Sequence, residues 1–166
     1  AIKEVFGITK AYVTRVGEGP FPTEEEGNDG EILRMNGGEY GSTTGRPRRC
    51  GWFDVELLKQ SAMINGLTNI ILTKLDVLSG FKKIKVATGY KIDGKNIDYY
   101  PPANLDNVEP IYTELDGWDE DISKCKKYDQ LPENAKKYID YIEKAIGVKI
   151  SLISVGPDRE CTIERS

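Results

Sequence analysis

Apolar and polar residues follow strand-like and helix-like periods in separate parts of the chain. Residues 10–16, KAYVTRV, alternate as a strand that stops at Gly17. From Gly17 to Gly51 the sequence is dense in Gly, Pro, Thr and charged residues, with little helical periodicity. These roughly thirty residues are therefore predicted to be a loop without an element of its own, and loops of that length are usually functional or disordered.

The next segment predicts a helix followed by a strand. The stretch DVELLKQSAMINGL offers Asp54 as an N-cap and Gly66 as a C-cap, and the apolar run NIILTKLD follows at 69–76. One face of this helix carries Val55, Leu58 and Ala62.

A second helix-to-strand unit lies near the C-terminus. Its helix is predicted from Pro132 to Ile146, with Gly147 as its stop, and the apolar strand VKISLISVGP follows at 148–157. The apolar face of the helix consists of Ala135, Tyr138, Ile139, Ile142 and Ile146.

Between the two units the pattern favours strands. Residues 81–92 alternate and end in a turn at Asp93 and Gly94, and residues 108–115 form another short strand. Two helix-to-strand units together with these strands predict an α/β fold, with a mixed or parallel sheet and flanking helices.

Composition narrows the class of protein. The 166 residues fit one domain, 39% of them apolar and 30% charged, without an apolar run long enough to cross a bilayer. A net charge of -4 argues against a dedicated nucleic-acid binder. Three widely spaced cysteines, Cys50, Cys125 and Cys161, indicate free thiols in a reducing compartment rather than disulfides. The chain has no His, which excludes imidazole chemistry within it.

Two charged residues, Lys74 and Asp76, directly follow a predicted buried strand, which is where open α/β sheets place their ligand contacts. If the segment is extended, residues two apart point to the same side and reach one ligand. A carboxylate accepts two parallel hydrogen bonds from the N1-H and the amino group of guanine, while the lysine stem lies along the base with its ammonium in water. The alternative is a solvated turn.

A second candidate is GSTTGRPRRCGW, at 41–52. It combines flexible glycines with hydroxyl groups and with arginines that bind carboxylate or phosphate through two parallel hydrogen bonds. The Walker spacing is missing, so the segment is not a phosphate loop of that type. A clamp for a small anion is one interpretation, and a mobile basic loop or a nucleic-acid patch is the other.

A third candidate is ISVGPDRE, at the end of the last predicted strand. Ser154 offers a hydroxyl, and Gly156 permits close backbone approach to a base. A simple turn explains the same residues.

Taken together, KAYVTRVGEGPFPTE, GSTTGRPRRCGWFD, LTKLDVLSGF and ISVGPDRE resemble the C-terminal part of the adenylosuccinate synthetase family, in the family's order and approximate spacing. The resemblance runs from about Lys10 to Arg159. It implies the C-terminal part of a P-loop-NTPase-like synthetase fold over residues 1–166.

The resemblance implies an enzyme of purine and AMP biosynthesis. The family phosphorylates the 6-oxygen of IMP with GTP, so that the amine of L-aspartate displaces phosphate. The implied aspartate loop consists of Ser42, Thr43, Thr44, Gly45, Arg46 and Arg48, in which Arg46 also binds IMP and Arg48 also binds GTP. The implied guanine pocket consists of Lys74, Leu75, Asp76, Ser154, Val155 and Gly156. Pro47 receives no role, since some members have a basic residue there.

The family's catalytic Asp and His, its Mg²⁺ ligands and its phosphate-cradling glycine loop belong to the N-terminal part, and none of these motifs occurs in this chain. No catalytic or metal-binding residue is therefore expected here, and the chain is expected to be an inactive fragment. The implied partners are GTP, IMP, L-aspartate and the rest of the enzyme, in a cytoplasmic homodimer without nucleic acid or membrane. The alternative is a stand-alone, non-catalytic module that binds a guanine nucleotide or a dicarboxylate.

Overall fold

The computed structural model describes residues 1–103 and 105–166. Its helices are α1 (Asn28–Gly37), α2 (Val55–Asn65) and α3 (Glu133–Ile146). Its strands are β1 (Phe6–Lys10), β2 (Val13–Arg15), β3 (Arg49–Gly51), β4 (Phe53–Asp54), β5 (Asn69–Thr73), β6 (Lys83–Ile92), β7 (Lys95–Ile97), β8 (Val108–Asp116), β9 (Lys149–Ser154) and β10 (Thr162–Glu164).

A four-stranded sheet in the order β1-β5-β9-β10 carries the predicted units. The strands β1, β5 and β9 are parallel, and β10 runs antiparallel to β9. The helix α2 leads into β5 and α3 leads into β9, so both predicted helix-to-strand steps are confirmed. Parallel pairing brings the carboxyl ends of three strands, at Lys10, Thr73 and Ser154, to one edge of the sheet.

The remaining strands form a second sheet and a short ribbon. In the second sheet β6 pairs with β4, β7 and β8, while β2 and β3 form the ribbon. The predicted turn is confirmed, because Asp93 and Gly94 both have positive φ and join β6 to β7 as a hairpin. The fold is therefore a mixed α/β structure, as the pattern of elements predicted.

The caps and the buried face of α2 agree with the prediction. The Asp54 side chain accepts a hydrogen bond from the backbone N–H of Leu57, and Gly66 ends the helix in the left-handed conformation. Val55 and Ala62 are buried, and Leu58 is partly buried.

The helix α3 also follows its sequence signals. Pro132 is its N-cap, and Gly147 ends it in the left-handed conformation. The predicted apolar face is buried in full, comprising Ala135, Tyr138, Ile139, Ile142 and Ile146. This face packs into the same core as the β5 and β9 side chains.

The prediction of a loop over 17–51 is wrong, because the segment contains α1 and β3. The sequence signal for α1 is weak: its N-cap, Gly27, has no side chain to cap it, and only Gly30 and Leu33 are buried. Tertiary contacts stabilise the helix instead. The Asn36 side chain, for example, donates to the Val77 carbonyl at 3.3 Å. The start of the helix is also tightly packed, because a Cβ atom at Gly30 would lie 1.8 Å from the Glu25 carbonyl oxygen, which only glycine avoids.

Three strand predictions also need correction. The strand over 10–16 is broken at Ala11 and Tyr12, so that β1 ends and β2 begins within it. The strand over 69–76 ends at Thr73, and the one over 148–157 ends at Ser154. The edge strands β1 and β10 were not predicted. On β1, both Phe6 and Ile8 are exposed, so the apolar positions do not mark a buried face.

Cys50, Cys125 and Cys161 are free thiols, as their spacing predicted. No helix within 1–103 and 105–166 is long and apolar enough to cross a membrane.

The end of α3 allows a clean test of backbone conformation. Gly147 has φ of 78°, and a Cβ atom added there would meet nothing within 4 Å. Gly147→Ala is therefore expected to lower the free energy of unfolding by about 1 to 2 kcal/mol, through the left-handed backbone alone. Gly27→Ala is the matched control, because that site is equally open but has φ of -88°. Urea unfolding should show a change within about 0.5 kcal/mol for the control. Equal losses in the two variants would contradict this explanation.

Candidate functional site

The candidate guanine residues begin where β5 ends. Lys74 has φ of 58°, in the left-handed region, and residues Leu75–Leu78 form a 3₁₀ turn. The expectation that Lys74 and Asp76 lie on one side of an extended segment is therefore wrong. The Lys74 ammonium instead donates to the Gly37 carbonyl at 2.7 Å and to the Glu39 carboxylate at 3.1 Å, which fixes it at the end of α1.

Asp76 has a buried acceptor atom without a donor. Its Oδ1 has no hydrogen-bond partner among the residues that the structure describes. Burial raises the pKa of Asp76, and its own backbone N–H and the Lys74 charge only partly oppose the rise. A buried carboxylate with few donors is costly to ionise, so N–H groups brought to the Asp76 carboxylate would stabilise its charged form.

The third predicted motif lies beside this turn. The pairing of Leu72 with Ile153 places the ends of β5 and β9 side by side, and the turn at Leu75–Leu78 contacts β9. Ser154 Oγ donates to the Gly156 carbonyl at 2.9 Å. Of the predicted pocket residues, Leu75 and Val155 are fully buried, so their side chains support the turns rather than offer contact surface. The structure thus brings the predicted guanine residues to one edge of the sheet.

The predicted aspartate loop forms a closed, exposed turn. The backbone N–H of Gly41 donates to the Arg46 carbonyl and that of Gly45 to the Gly41 carbonyl, both at 2.8 Å, and Tyr40 bridges to Pro47. The exposed residues of this turn are Ser42, Thr43, Thr44, Gly45, Arg46 and Pro47. The Arg46 N–H also donates to the Thr44 hydroxyl, at 3.4 Å, so the exposed groups open to a ligand are chiefly the hydroxyl and N–H groups of Ser42 and Thr43.

A cleft of about 570 Å³ lies between this loop and residues 15–19. Four arginines line it: Arg15, Arg46, Arg48 and Arg49. Three of them have protein partners, whereas no described side chain or carbonyl accepts a hydrogen bond from the Arg46 guanidinium. Arg46 is thus the cleft arginine whose guanidinium makes no hydrogen bond to the described residues.

Arg49 and Arg15 hold the opposite wall of the cleft. Arg49 binds both carboxylate oxygens of Glu24, at 2.8 and 2.6 Å, and donates to the carbonyls of Gly17 and Gly19 at 3.0 and 2.8 Å. Arg15 donates to the carbonyls of Glu18 and Pro20. The sequence pattern predicted Arg49 as a donor to a small anion and gave Arg15 no role; in the structure both arginines bind protein groups and hold this wall in place.

Glu39 lies at the centre of the site and was missed by the sequence analysis. Its side chain is fully buried, and the turn at Gly38 that ends α1 sets its position. Oε2 accepts from Arg48 at 2.7 Å. Oε1 accepts from three groups, namely Tyr12 at 2.6 Å, Lys10 at 2.9 Å and Lys74 at 3.1 Å. The only sequence signal for this position is a pair of glycines that ends a helix just before it.

The protonation states of this cluster follow from its contacts. Burial by itself would raise the pKa of Glu39, but its four hydrogen bonds outweigh that effect and lower the pKa to about 2. Burial and the hydrogen bond to Glu39 raise the pKa of Tyr12, which stays a neutral donor. Glu39 is therefore an anion that binds three cations, Lys10, Arg48 and Lys74.

The helix α1 connects the two candidate regions. Its Arg34 donates to the Arg48 carbonyl at 2.8 Å, and its Asn36 donates to the Val77 carbonyl at 3.3 Å. One helix therefore contacts both the predicted aspartate loop and the 3₁₀ turn that carries Asp76.

Two further observations limit the site. In the described part of the chain, no group of three or more His, Cys, Asp or Glu residues is placed to hold a metal ion. A second cleft, of about 590 Å³, lies beside Leu67 and Val148 at the amino ends of β5 and β9, and none of the predicted site residues lines it.

Comparison with known proteins gives consistent matches over nearly the whole chain. The family model described as adenylosuccinate synthetase matches residues 1–163. The adenylosuccinate synthetases of Thermoanaerobacter pseudethanolicus and Clostridioides difficile are both 56% identical, over 98% and 99% of this chain and 38% and 39% of their own lengths. That of Vanderwaltozyma polyspora is 54% identical over 99% of this chain and 38% of its own. The fully ligated adenylosuccinate synthetase of Plasmodium falciparum superposes with a TM-score of 0.95 at 46% identity, over 99% of this chain and 40% of that one. The chain thus spans about two fifths of the length of these relatives.

Proposed function

Because this chain belongs to the adenylosuccinate synthetase family, we propose that it supplies the guanine pocket and the aspartate and IMP loop of an enzyme that condenses IMP with L-aspartate at the expense of GTP. The observation that carries the proposal is the buried Oδ1 of Asp76, which has no hydrogen-bond partner within 1–103 and 105–166 and lies at the edge of the sheet where Ser154 and Gly156 also lie.

Guanine suits this position because its N1-H and its amino group are parallel donors for one carboxylate. Adenine lacks that pair of donors, so it would leave the buried acceptor unsatisfied. A site built in this way rejects an analogue without the donors by roughly 10⁴-fold. Lys74 and Gly156 then border the base, and the Lys74 ammonium stays bound to the end of α1.

The loop at 42–48 suits L-aspartate and IMP. Aspartate carries two carboxylates and must present an uncharged amine to an electrophile. Hydroxyls and backbone N–H groups of Ser42, Thr43 and Thr44, with the guanidinium of Arg46, bind the anions while leaving the nitrogen free. Arg46 also reaches IMP, and Arg48 reaches GTP. The contribution of this chain to the reaction is therefore positioning.

The activation chemistry belongs, in this proposal, to another part of the enzyme. This chain has no His and no Walker-type phosphate loop. Phosphorylation of IMP and the binding of Mg²⁺ are accordingly assigned to an N-terminal part. A cytoplasmic homodimer remains a prediction of the resemblance.

The test compares the chain alone with a full-length synthetase that carries this segment. Each is incubated with IMP, L-aspartate, GTP and Mg²⁺, and adenylosuccinate is measured by chromatography against a buffer blank. The chain alone is expected to form no product, because it lacks the groups that activate IMP. The full-length protein is expected to form product with GTP and far less with ATP.

The outcomes also separate the two candidate functions. Product from the chain alone would contradict the division of the reaction between two parts of the enzyme. If the chain alone binds GTP or a dicarboxylate and the full-length protein forms no adenylosuccinate, the stand-alone binding module is favoured instead.

A further inference from the structure

We propose that Glu39 is a positioning residue that holds Arg48 and Lys74 in one geometry, so that the substrate loop and the guanine pocket form together. The inference rests on the function proposed above, which assigns Arg48 to GTP and Lys74 to the guanine base. Glu39 itself is fully buried and would touch neither substrate.

The partners of Glu39 come from separate segments of the chain. Arg48 lies on the substrate loop, Lys74 follows β5, Lys10 ends β1 and Tyr12 lies between β1 and β2. The carboxylate of Glu39 is the acceptor that these separate segments share. Its backbone is fixed as well, because its N–H donates to Arg34 and its carbonyl accepts from Arg48, both at 2.9 Å.

The surroundings of Glu39 carry more positive than negative charge. Glu39 pairs with three cations, and Asp76, whose charge acts on Lys74, is a second nearby anion, so an excess of one positive charge remains. The side chains of Lys10, Arg48 and Lys74 remain 29%, 31% and 37% exposed, while Glu39 is fully buried. An arrangement that served folding alone would gain from neutrality, since like charges a few ångströms apart repel. Cations that are bound on their inner side and open on their outer side are suited to receive an anion, which the proposed nucleotides supply.

The test uses Glu39→Gln in a full-length synthetase that carries this segment. The amide keeps the volume of the side chain but offers one acceptor oxygen instead of two. If the amide oxygen accepts the hydrogen bonds from Tyr12, Lys10 and Lys74, the NH₂ group points at the Arg48 guanidinium. Two donors then face each other and cannot form a hydrogen bond. Arg48 is then released, and the KM for GTP is expected to rise roughly 10- to 100-fold, with kcat changing less than the KM.

A double variant shows whether the effect passes through Arg48. In an Arg48→Leu background, Glu39→Gln is expected to raise the KM for GTP by no more than about twofold. Glu143→Gln is the matched control. Glu143 also forms an ion pair, with Arg165, and it accepts a hydrogen bond from the backbone N–H of Ile150. Ile150 lies near the start of β9, at the end of the strand away from the site. This control is expected to lower stability without changing any KM by more than about twofold.

A double-mutant cycle of Arg48 and Lys74 tests the proposal if the Glu39→Gln variant does not fold. Arg48→Gln and Lys74→Gln are measured singly and together, and the combined loss in kcat/KM for GTP is expected to fall at least threefold short of the product of the single losses. Strictly multiplicative losses would overturn the proposal, as would unchanged KM values in a folded Glu39→Gln variant. A wild-type protein that forms no adenylosuccinate would instead overturn the proposed function, and the inference with it.

Discussion

Arg46→Leu, in a full-length synthetase that carries this segment, is expected to lower kcat/KM for aspartate by roughly 10²- to 10⁴-fold, while the KM for GTP stays within about twofold of wild type. The range corresponds to the loss of two charge-assisted hydrogen bonds from one guanidinium. The largest effect is expected at Arg46 because its guanidinium has no acceptor among the described residues, whereas the other arginines of the cleft are bound to protein groups.

The conservative change at Arg46 sharpens this expectation. Arg46→Lys keeps the charge, but an ammonium cannot reproduce the two parallel hydrogen bonds of a guanidinium. It is therefore expected to recover little of the lost activity. If lysine restores most of it, Arg46 contributes only its charge, and the proposed binding of a carboxylate through two hydrogen bonds is wrong.

Arg48→Leu serves as the contrasting variant on the same loop. Because Arg48 is assigned to GTP and is bound to Glu39, its loss is expected to raise the KM for GTP more than the KM for aspartate. Steady-state kinetics with each substrate varied in turn separates the two cases. If both variants impair all three substrates equally, the loop acts through folding or closure, and the separate assignments of Arg46 and Arg48 are withdrawn.

The second large effect is expected for the choice of base. Asp76→Asn should lower kcat/KM for GTP about 5- to 150-fold and shift the preference toward xanthosine triphosphate. The new amide NH₂ faces the amino group of guanine, donor against donor, whereas the 2-oxo group of xanthine accepts from it. The measurement is kcat/KM for each nucleotide with the other substrates saturating.

A nearby carboxylate provides the control for this experiment. Asp121 is exposed and its charge contributes to the raised pKa of Asp76, so Asp121→Asn changes the local charge without changing the buried acceptor. The control should keep the wild-type preference for GTP. An unchanged preference in Asp76→Asn would show that Asp76 does not contact the base, even though its Oδ1 is buried and unpartnered.

The sequence by itself determined the elements whose signals are local. Asp54 and Gly66 cap α2, and Gly147 caps α3. Each cap therefore lies within one helix length of the apolar face of the same helix. Their chemistry acts on adjacent turns, so the pattern was sufficient to predict both helices. The hairpin at Asp93 and Gly94 was predicted for the same reason, since both residues favour the positive φ that a tight turn requires.

The candidate site residues were predicted from the sequence only as separate segments. The motifs at 41–52, 74–76 and 154–156 suggested an anion loop and a guanine pocket, and the resemblance assigned their roles. Their order along the chain contains no information about how the segments meet. Parallel pairing of β5 with β9 decided that Lys74 and Ser154 share one edge of the sheet.

Only the tertiary structure decided the helix α1, the left-handed turn at Lys74 and the cluster around Glu39. The helix α1 lacks a side-chain cap and a broad apolar face, so it depends on contacts with residues far along the chain, such as the bond from Asn36 to Val77. Glu39 is separated from Lys10 by 29 residues and from Lys74 by 35. A buried carboxylate is stable only when its cations surround it, and those cations come together only after the strands have paired.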